Sequence, residues 1–166
     1  MSFLLPSARN LNVLIVLGCI FMMAVALIIF ERLLELAPCP MCIFQRIGVI
    51  TVGLIAATAA LHNPGPSGIR TYGGFTVLAA AGGGAVSGRH IWLQGLPEDQ
   101  VPACGPGLDY LMDIFPVIDV ITIVLQGDGS CAEIEWSFIG VSLPGWTLVG
   151  FIGLGSLGLL QVLRRA

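Results

Sequence analysis

The chain has 166 residues, of which 56% are hydrophobic and only 10% charged, and its mean hydropathy is +0.94. Soluble domains carry about 25% charged residues, so this composition excludes an ordinary water-soluble enzyme and points to lipid as the solvent. The formal charge is −3, lysine is absent, and the seven basic residues (Arg9, Arg32, Arg46, Arg70, Arg89, Arg164, Arg165) are too scattered to form a nucleic-acid surface.

A bilayer core needs about 20 mostly apolar residues per helix. The first such run covers 11–30. It is too long for a signal-peptide core and lacks a small-x-small cleavage site, so it is predicted to remain as a helix. Cys19 lies in its middle, where a small apolar thiol is expected to serve packing alone. A short loop, 31–42, follows and ends in Pro38-Cys39-Pro40-Met41-Cys42. The stretch Leu36-Ala37-Pro38-Cys39 faintly resembles a lipoprotein cleavage site, but Pro38 directly before the cysteine argues against processing. The second run is 43–61, and the Pro/Gly-rich link LHNPGPSGIR (61–70) is purely connective.

The third run, 71–91, is dominated by small residues, among them Gly73, Gly74, Gly82, Gly83, Gly84 and Gly88, which predicts close helix packing. A crevice for a flat ring among the helices is the sharper alternative. Arg89 and His90 end this run. The loop 92–143 contains LDYLMDIFPVIDVITIVLQ (108–126), which is apolar but broken by Asp109, Asp113, Pro116 and Asp119. Carboxylates make it costly as a span. A segment lying along the membrane surface fits better, although the β-branched residues 117–124 also suit a strand. The fourth run is 144–163.

The expected architecture is therefore an all-α membrane protein, a single four-transmembrane-helix bundle over 1–166 with a long periplasmic loop carrying a short interfacial segment. Four spans put both termini on one side. By the same parity, the loop carrying Cys39 and Cys42 and the loop carrying Cys104 and Cys131 share the other side, so the two pairs are able to meet. Arginines divide four (Arg9, Arg70, Arg164, Arg165) to three (Arg32, Arg46, Arg89), and Arg46 and Arg89 lie within or at the end of apolar runs. Arg32 is then the one clear loop cation on the cysteine side. The positive-inside rule places the termini in the cytoplasm and the cysteines outside it, where disulfides persist.

Cys42 falls at or near the start of the second helix, where unsatisfied N–H groups and the helix dipole favour a thiolate. Arg46 is four residues on, one turn away on the same face. It either snorkels to the interface or serves as the electropositive partner of a thiolate or of an acceptor's oxygen. The same spacing occurs in zinc sites, but a four-cysteine site would prefer a second close pair, and Cys104 and Cys131 are far apart in sequence. No metal site is expected. Glycines and prolines flank Cys104 (VPACGPG) and Cys131 (GDGSC) and leave them accessible for exchange. A static disulfide stabilising the loop by about 3 to 4 kcal/mol is the competing reading. Two exchangeable pairs on one side suggest a relay. With no haem, dinucleotide or iron–sulfur spacing in the chain, its terminal acceptor is expected to be a lipid-soluble quinone. His90 is either a satisfied interface histidine or a proton donor to the reduced quinone.

Four motifs, PCPMCIFQR (38–46), GRHIWLQGLP (88–97), VPACGPGLDYL (101–111) and CAEIEWSFIGVSLPGW (131–146), occur in this order and resemble the bacterial disulfide bond formation protein B (DsbB) family over essentially the whole chain. The resemblance implies an inner-membrane thiol oxidase that re-oxidises a periplasmic DsbA-like dithiol and passes the electrons to the membrane pool of ubiquinone or menaquinone. It implies that Cys104 forms the mixed disulfide with that partner and that Cys131 is its companion. Cys39 and Cys42 regenerate the pair, with Cys42 facing the quinone beside Arg46; His90 matches the family histidine after the third span. Two other readings are a quinone–thiol oxidoreductase resembling vitamin K epoxide reductase, and a non-enzymatic four-span protein whose cysteines are structural staples.

Overall fold

The structure is a computed structural model that describes residues 7–105 and 107–164. Arg165, counted above on the terminal side, and Pro106 of the Cys104 motif lie outside the described residues. Helix α1 (Ala8–Ala24) starts where the Ser7 side chain accepts the Asn10 N–H at 3.2 Å, and it runs on as a π-helix over Val25–Leu33. Helix α2 (Pro40–His62) is capped by Cys39, has proline in its first turn, and ends at Asn63 in the left-handed conformation. Helix α3 (Pro66–Gln94) also begins on proline, preceded by Gly65. Then come the short helices α4 (Leu108–Ile114), α5 (Val117–Gln126) and α6 (Gly129–Ala132). A two-stranded hairpin, β1 (Ser137–Phe138) and β2 (Val141–Ser142), leads into α7 (Leu143–Leu163).

Among the described residues three helices are long and apolar enough to cross a membrane: Ala8–Leu33, Pro40–His62 and Leu143–Leu163. Their outward faces are apolar, with Leu17, Phe21, Leu54, Val149 and Ile152 exposed, as expected of helices solvated by lipid. The molecule is an all-α membrane protein apart from the hairpin. At 29 residues α3 is the longest helix, yet it does not join those three, because its glycines dilute the hydropathy that Leu and Ile supply elsewhere. What the small residues give instead is proximity. A Cβ added at Gly83 would lie 2.2 Å from the Phe151 ring, and one at Gly73 would lie 2.9 Å from the Gly158 carbonyl. So α3 lies along α7 and against α2, as the small-residue pattern predicts.

Two buried clusters result. One, between α1, α2, α3 and α7, contains Ile15, Val49, Val52, Ala56, Phe151 and Leu154. Cys19 sits inside it, against Gly53, in the packing role expected of it. The other lies at the cysteine end and joins Met41 and Leu93 to Leu111, Val120, Val124 and Cys131. The residues 117–124, open to a strand reading, are helical: Val120 and Val124, four apart, turn inward while Val117 and Ile118 stay exposed. A strand would carry residues 118, 120, 122 and 124 on one face, but Ile118 and Thr122 are exposed while Val120 and Val124 are buried, the spacing of a helix.

Candidate active site

Cys39 and Cys42 are joined by the local geometry of one helix start. Cys39 is the N-cap, and its Sγ accepts the Cys42 backbone N–H at 3.4 Å. Pro40 costs nothing there, since a first-turn N–H has no intrahelical partner. The two sulfurs lie 3.2 Å apart, both half-buried. That separation makes closure to a disulfide a matter of small side-chain rotation.

A third group joins them from α3. His90 Nε2 stands 3.8 Å from the Cys39 sulfur, and its Nδ1 is 3.1 Å from the Gln45 amide nitrogen. Both His90 and Gln45 are buried, at 3% and 4% exposure, so the contact between them pairs polar atoms that water does not reach. The sequence left His90 as either a satisfied interface histidine or a proton donor to a quinone; in the structure its Nε2 faces Cys39.

The second pair is divided. Cys131, on α6, is buried in the cluster against which Cys39 packs. The neighbouring Cys39 side chain and burial push its thiol pKa well above the ordinary value. Cys104 is exposed, close enough to α6 that a Cβ on Gly129 would meet its sulfur at 2.8 Å. All four of these cysteines are free thiols here, as is Cys19. Span parity allowed the two loops to meet, and in the structure Cys39 packs on the cluster that holds Cys131.

Arg46 projects away from His90. It pairs with Glu31 of the π-helical segment, and its side chain is 19% exposed. Both Arg46 and Cys42 line a cavity of about 970 Å³ between α1, α2 and α7. Gln45, Val49, Met22, Ala26, Phe30, Leu154 and Leu157 line it too, and Trp136, Phe138 and Trp146 stand on another side. Trp136 meets Phe30 edge-on at 4.9 Å between centroids and stacks on Phe138 at 6.1 Å, while Trp146 Nε1 donates to the Phe138 carbonyl. Neither α3 nor His90 contributes to this wall. The small residues of α3 serve packing, and the crevice lies on the far side of α2.

The family model for disulfide bond formation protein DsbB matches residues 8–161. The chain belongs to the DsbB family. It is 49% identical over 162 residues to disulfide bond formation protein B of Saccharophagus degradans, covering 98% of this chain and 97% of that one. It is 46% identical to the protein of that name from Methylococcus capsulatus, covering 95% of each, and 45% identical to that from Stutzerimonas stutzeri, covering 97% of this chain and 98% of the other. As a DsbB-family member the protein is a membrane disulfide oxidoreductase, a thiol oxidase of disulfide formation.

Three parts of this DsbB-family site escaped sequence reasoning. Gln45 was legible in principle, as an amide within an apolar run one turn from Cys42. Glu31 was an acid directly after the uncharged run 11–30. The aromatic group had no comparable signal, because Phe30 and Trp136 are brought together only by the fold.

Proposed function

We propose that this protein is a four-span oxidase of the bacterial inner membrane, a single domain with both termini cytoplasmic and its four reactive cysteines periplasmic. The spans are about 11–30, 43–61, 71–91 and 144–163, with α3 as the third despite its diluted hydropathy. The loops are about 31–42 and 92–143. Its substrate is the dithiol of a periplasmic DsbA-like protein, and its electrons go to ubiquinone or menaquinone. The observation that carries this reading is the apolar cavity with Cys42 and Arg46 in one wall. It suits a flat ring with polar oxygens, since aromatic and aliphatic side chains surround two convergent polar groups.

The sulfur steps follow from accessibility. A partner thiolate attacks exposed Cys104 of the Cys104–Cys131 disulfide, forming a mixed disulfide and releasing Cys131. The partner's second thiolate resolves it and leaves with the new disulfide. Cys131, buried in the cluster on which Cys39 packs, attacks the Cys39 sulfur of the Cys39–Cys42 disulfide and releases the Cys42 thiolate. Attack of Cys104 on Cys131 then restores the loop disulfide and leaves Cys39 and Cys42 as a dithiol. A quinone in the cavity supplies the terminal sink for the two electrons and two protons of that dithiol. Arg46 has five donors, so it keeps Glu31 while pointing another N–H at an acceptor oxygen, and the aromatic side excludes water.

The test is turnover of the purified full chain with a reduced thioredoxin-fold substrate and a soluble quinone. Arg46→Ala is expected to raise the apparent quinone KM by about tenfold, the worth of one charge-assisted hydrogen bond, while exchange with the protein thiol stays intact. An unchanged KM would assign Arg46 to snorkelling and remove the support it gives the cavity as the quinone site.

A further inference from the structure

We propose that the reduced site is also a trap for a soft divalent metal: the thiolates of Cys39 and Cys42 and the Nε2 of His90 bind one Zn²⁺, and the bound ion halts the redox cycle until it leaves. This goes beyond the oxidase reaction, which uses no metal. The three donor atoms lie within 4.8 Å of one another. Tetrahedral zinc, with Zn–S of about 2.3 Å and Zn–N of about 2.0 to 2.1 Å, asks for roughly 3.8 Å between sulfurs and roughly 3.5 Å between sulfur and nitrogen. The observed 3.2 Å and 3.8 Å must change by roughly 0.6 Å and 0.3 Å, and the Cys42 sulfur, within 4.8 Å of Nε2, must close by roughly 1.3 Å at most. Cys39 and Cys42 move within a helix's first turn, so such a shift is within side-chain reach.

The donor set decides the class of ion. Two sulfurs and an imidazole suit zinc and its soft neighbours and reject magnesium and calcium, which take oxygen ligands. The sequence argued against a four-cysteine zinc site because the second pair is distant. Folding supplies a different donor, since His90 comes from α3. Cys131, in the neighbouring buried cluster, lies outside the three-donor group.

Gln45 fits both states of the imidazole. With its amide nitrogen toward Nδ1, it donates there and leaves the proton on Nε2, facing Cys39. Turned over, the amide oxygen accepts from Nδ1–H and frees the Nε2 lone pair for a metal. The side chain is thus an outer partner that orients the ligand in either tautomer.

Binding moves no electrons: two thiols give up two protons, and two sulfur–metal bonds form. The Cys39–Cys42 disulfide has no thiolates to offer, so metal and disulfide exclude each other. The trap therefore closes only on dithiol enzyme that still waits for its electron acceptor.

The experiment is titration of the quinone-free, fully reduced chain in detergent with Co²⁺, under argon and without small thiols. One equivalent is expected to give tetrahedral d–d bands and thiolate-to-cobalt charge transfer, both erased by Zn²⁺. The disulfide form of the same protein should show neither, which controls for the fold. Cys39→Ser should abolish the charge-transfer signature or shift it to a weaker site. His90→Gln should weaken binding tenfold or more, and Gln45→Ala by roughly tenfold. Cys104→Ser should bind as the parent does. Retention of the spectrum by the oxidised protein, or unchanged affinity in His90→Gln, overturns the assignment. So does dependence on Cys104. Quinone turnover in metal-free buffer is measured separately, so that normal turnover without metal binding sinks this proposal and leaves the oxidase reading standing.

Discussion

At the start of α2, Cys39 and Cys42 are held 3.2 Å apart by three residues of one helix, and their neighbours His90, Gln45 and Arg46 all come from long helices. Cys104 and Cys131 are arranged differently. They come from separate short segments, one thiol exposed and the other buried in the cluster on which Cys39 packs. The same residue type is therefore set in two mechanical contexts. A pair that faces a small planar acceptor gains from a fixed geometry, whereas a pair that must open to hold a protein gains from one accessible sulfur and one that retreats. In the relay we propose, the cysteine that crosses between the pairs is Cys131, whose cluster packs on Cys39.

The largest effects should come from breaking each pair separately. Cys42→Ser is expected to abolish quinone reduction with every thiol donor. Cys104→Ser is expected to abolish oxidation of the protein partner yet leave quinone reduction by a small dithiol that reaches the Cys39–Cys42 disulfide directly. Equal loss of both activities in the two variants would erase the division of labour.

A second, smaller effect concerns the two loop thiols. In the reduced protein at pH 7, iodoacetamide should modify Cys104 roughly tenfold or more faster than Cys131, because one is exposed and the other must first open. The sign of the pH dependence follows from the raised Cys131 thiol pKa. The folded state favours the neutral thiol, so its contribution to stability is complete below the ordinary value of 9.0 and declines as the pH rises above it. Peptide mapping after timed quenching measures the rates. Equal modification of the two cysteines would show that Cys131 is not sheltered.

Much of this contrast was legible in the sequence, for stated physical reasons. The C-x-x-C with proline at the head of an apolar run carried its own helix cap, and the apolar runs that became α1, α2 and α7 were marked by length and hydropathy alone. The glycines of α3 announced close packing. Other features depend on contacts between distant segments. His90 has its spatial partner 51 positions away at Cys39, and nothing near it in sequence distinguishes a thiol neighbour from a quinone neighbour. The cavity lies on the α1 and α7 side of α2 because Phe151 fills the space against Gly83 on the other. Only the fold assigns those sides. The segment 117–124 was ambiguous because β-branched residues satisfy both periodicities, and inward packing of Val120 and Val124 on Met41 and Leu93 decided for helix.

The smallest predicted effect tests how firmly the loop is tied to the bundle. Arg89, near the end of α3, donates from Nε to the Leu125 carbonyl and from Nη2 to the Gln126 carbonyl, both at 3.1 Å, and its guanidinium lies 4.1 Å above the Trp92 ring. It thereby supplies donors and positive charge to the C-terminus of α5. The contact is exposed, so Arg89→Ala should cost only about 1 kcal/mol. That corresponds to roughly fivefold faster amide exchange across Val117–Gln126. Because α5 packs through Val120 and Val124 into the cluster that shelters Cys131, partner oxidation should slow by a similar factor while the quinone KM stays unchanged. A shift in the quinone KM would show that the two cysteine settings are mechanically coupled through α3, and that the separation drawn between them is too sharp.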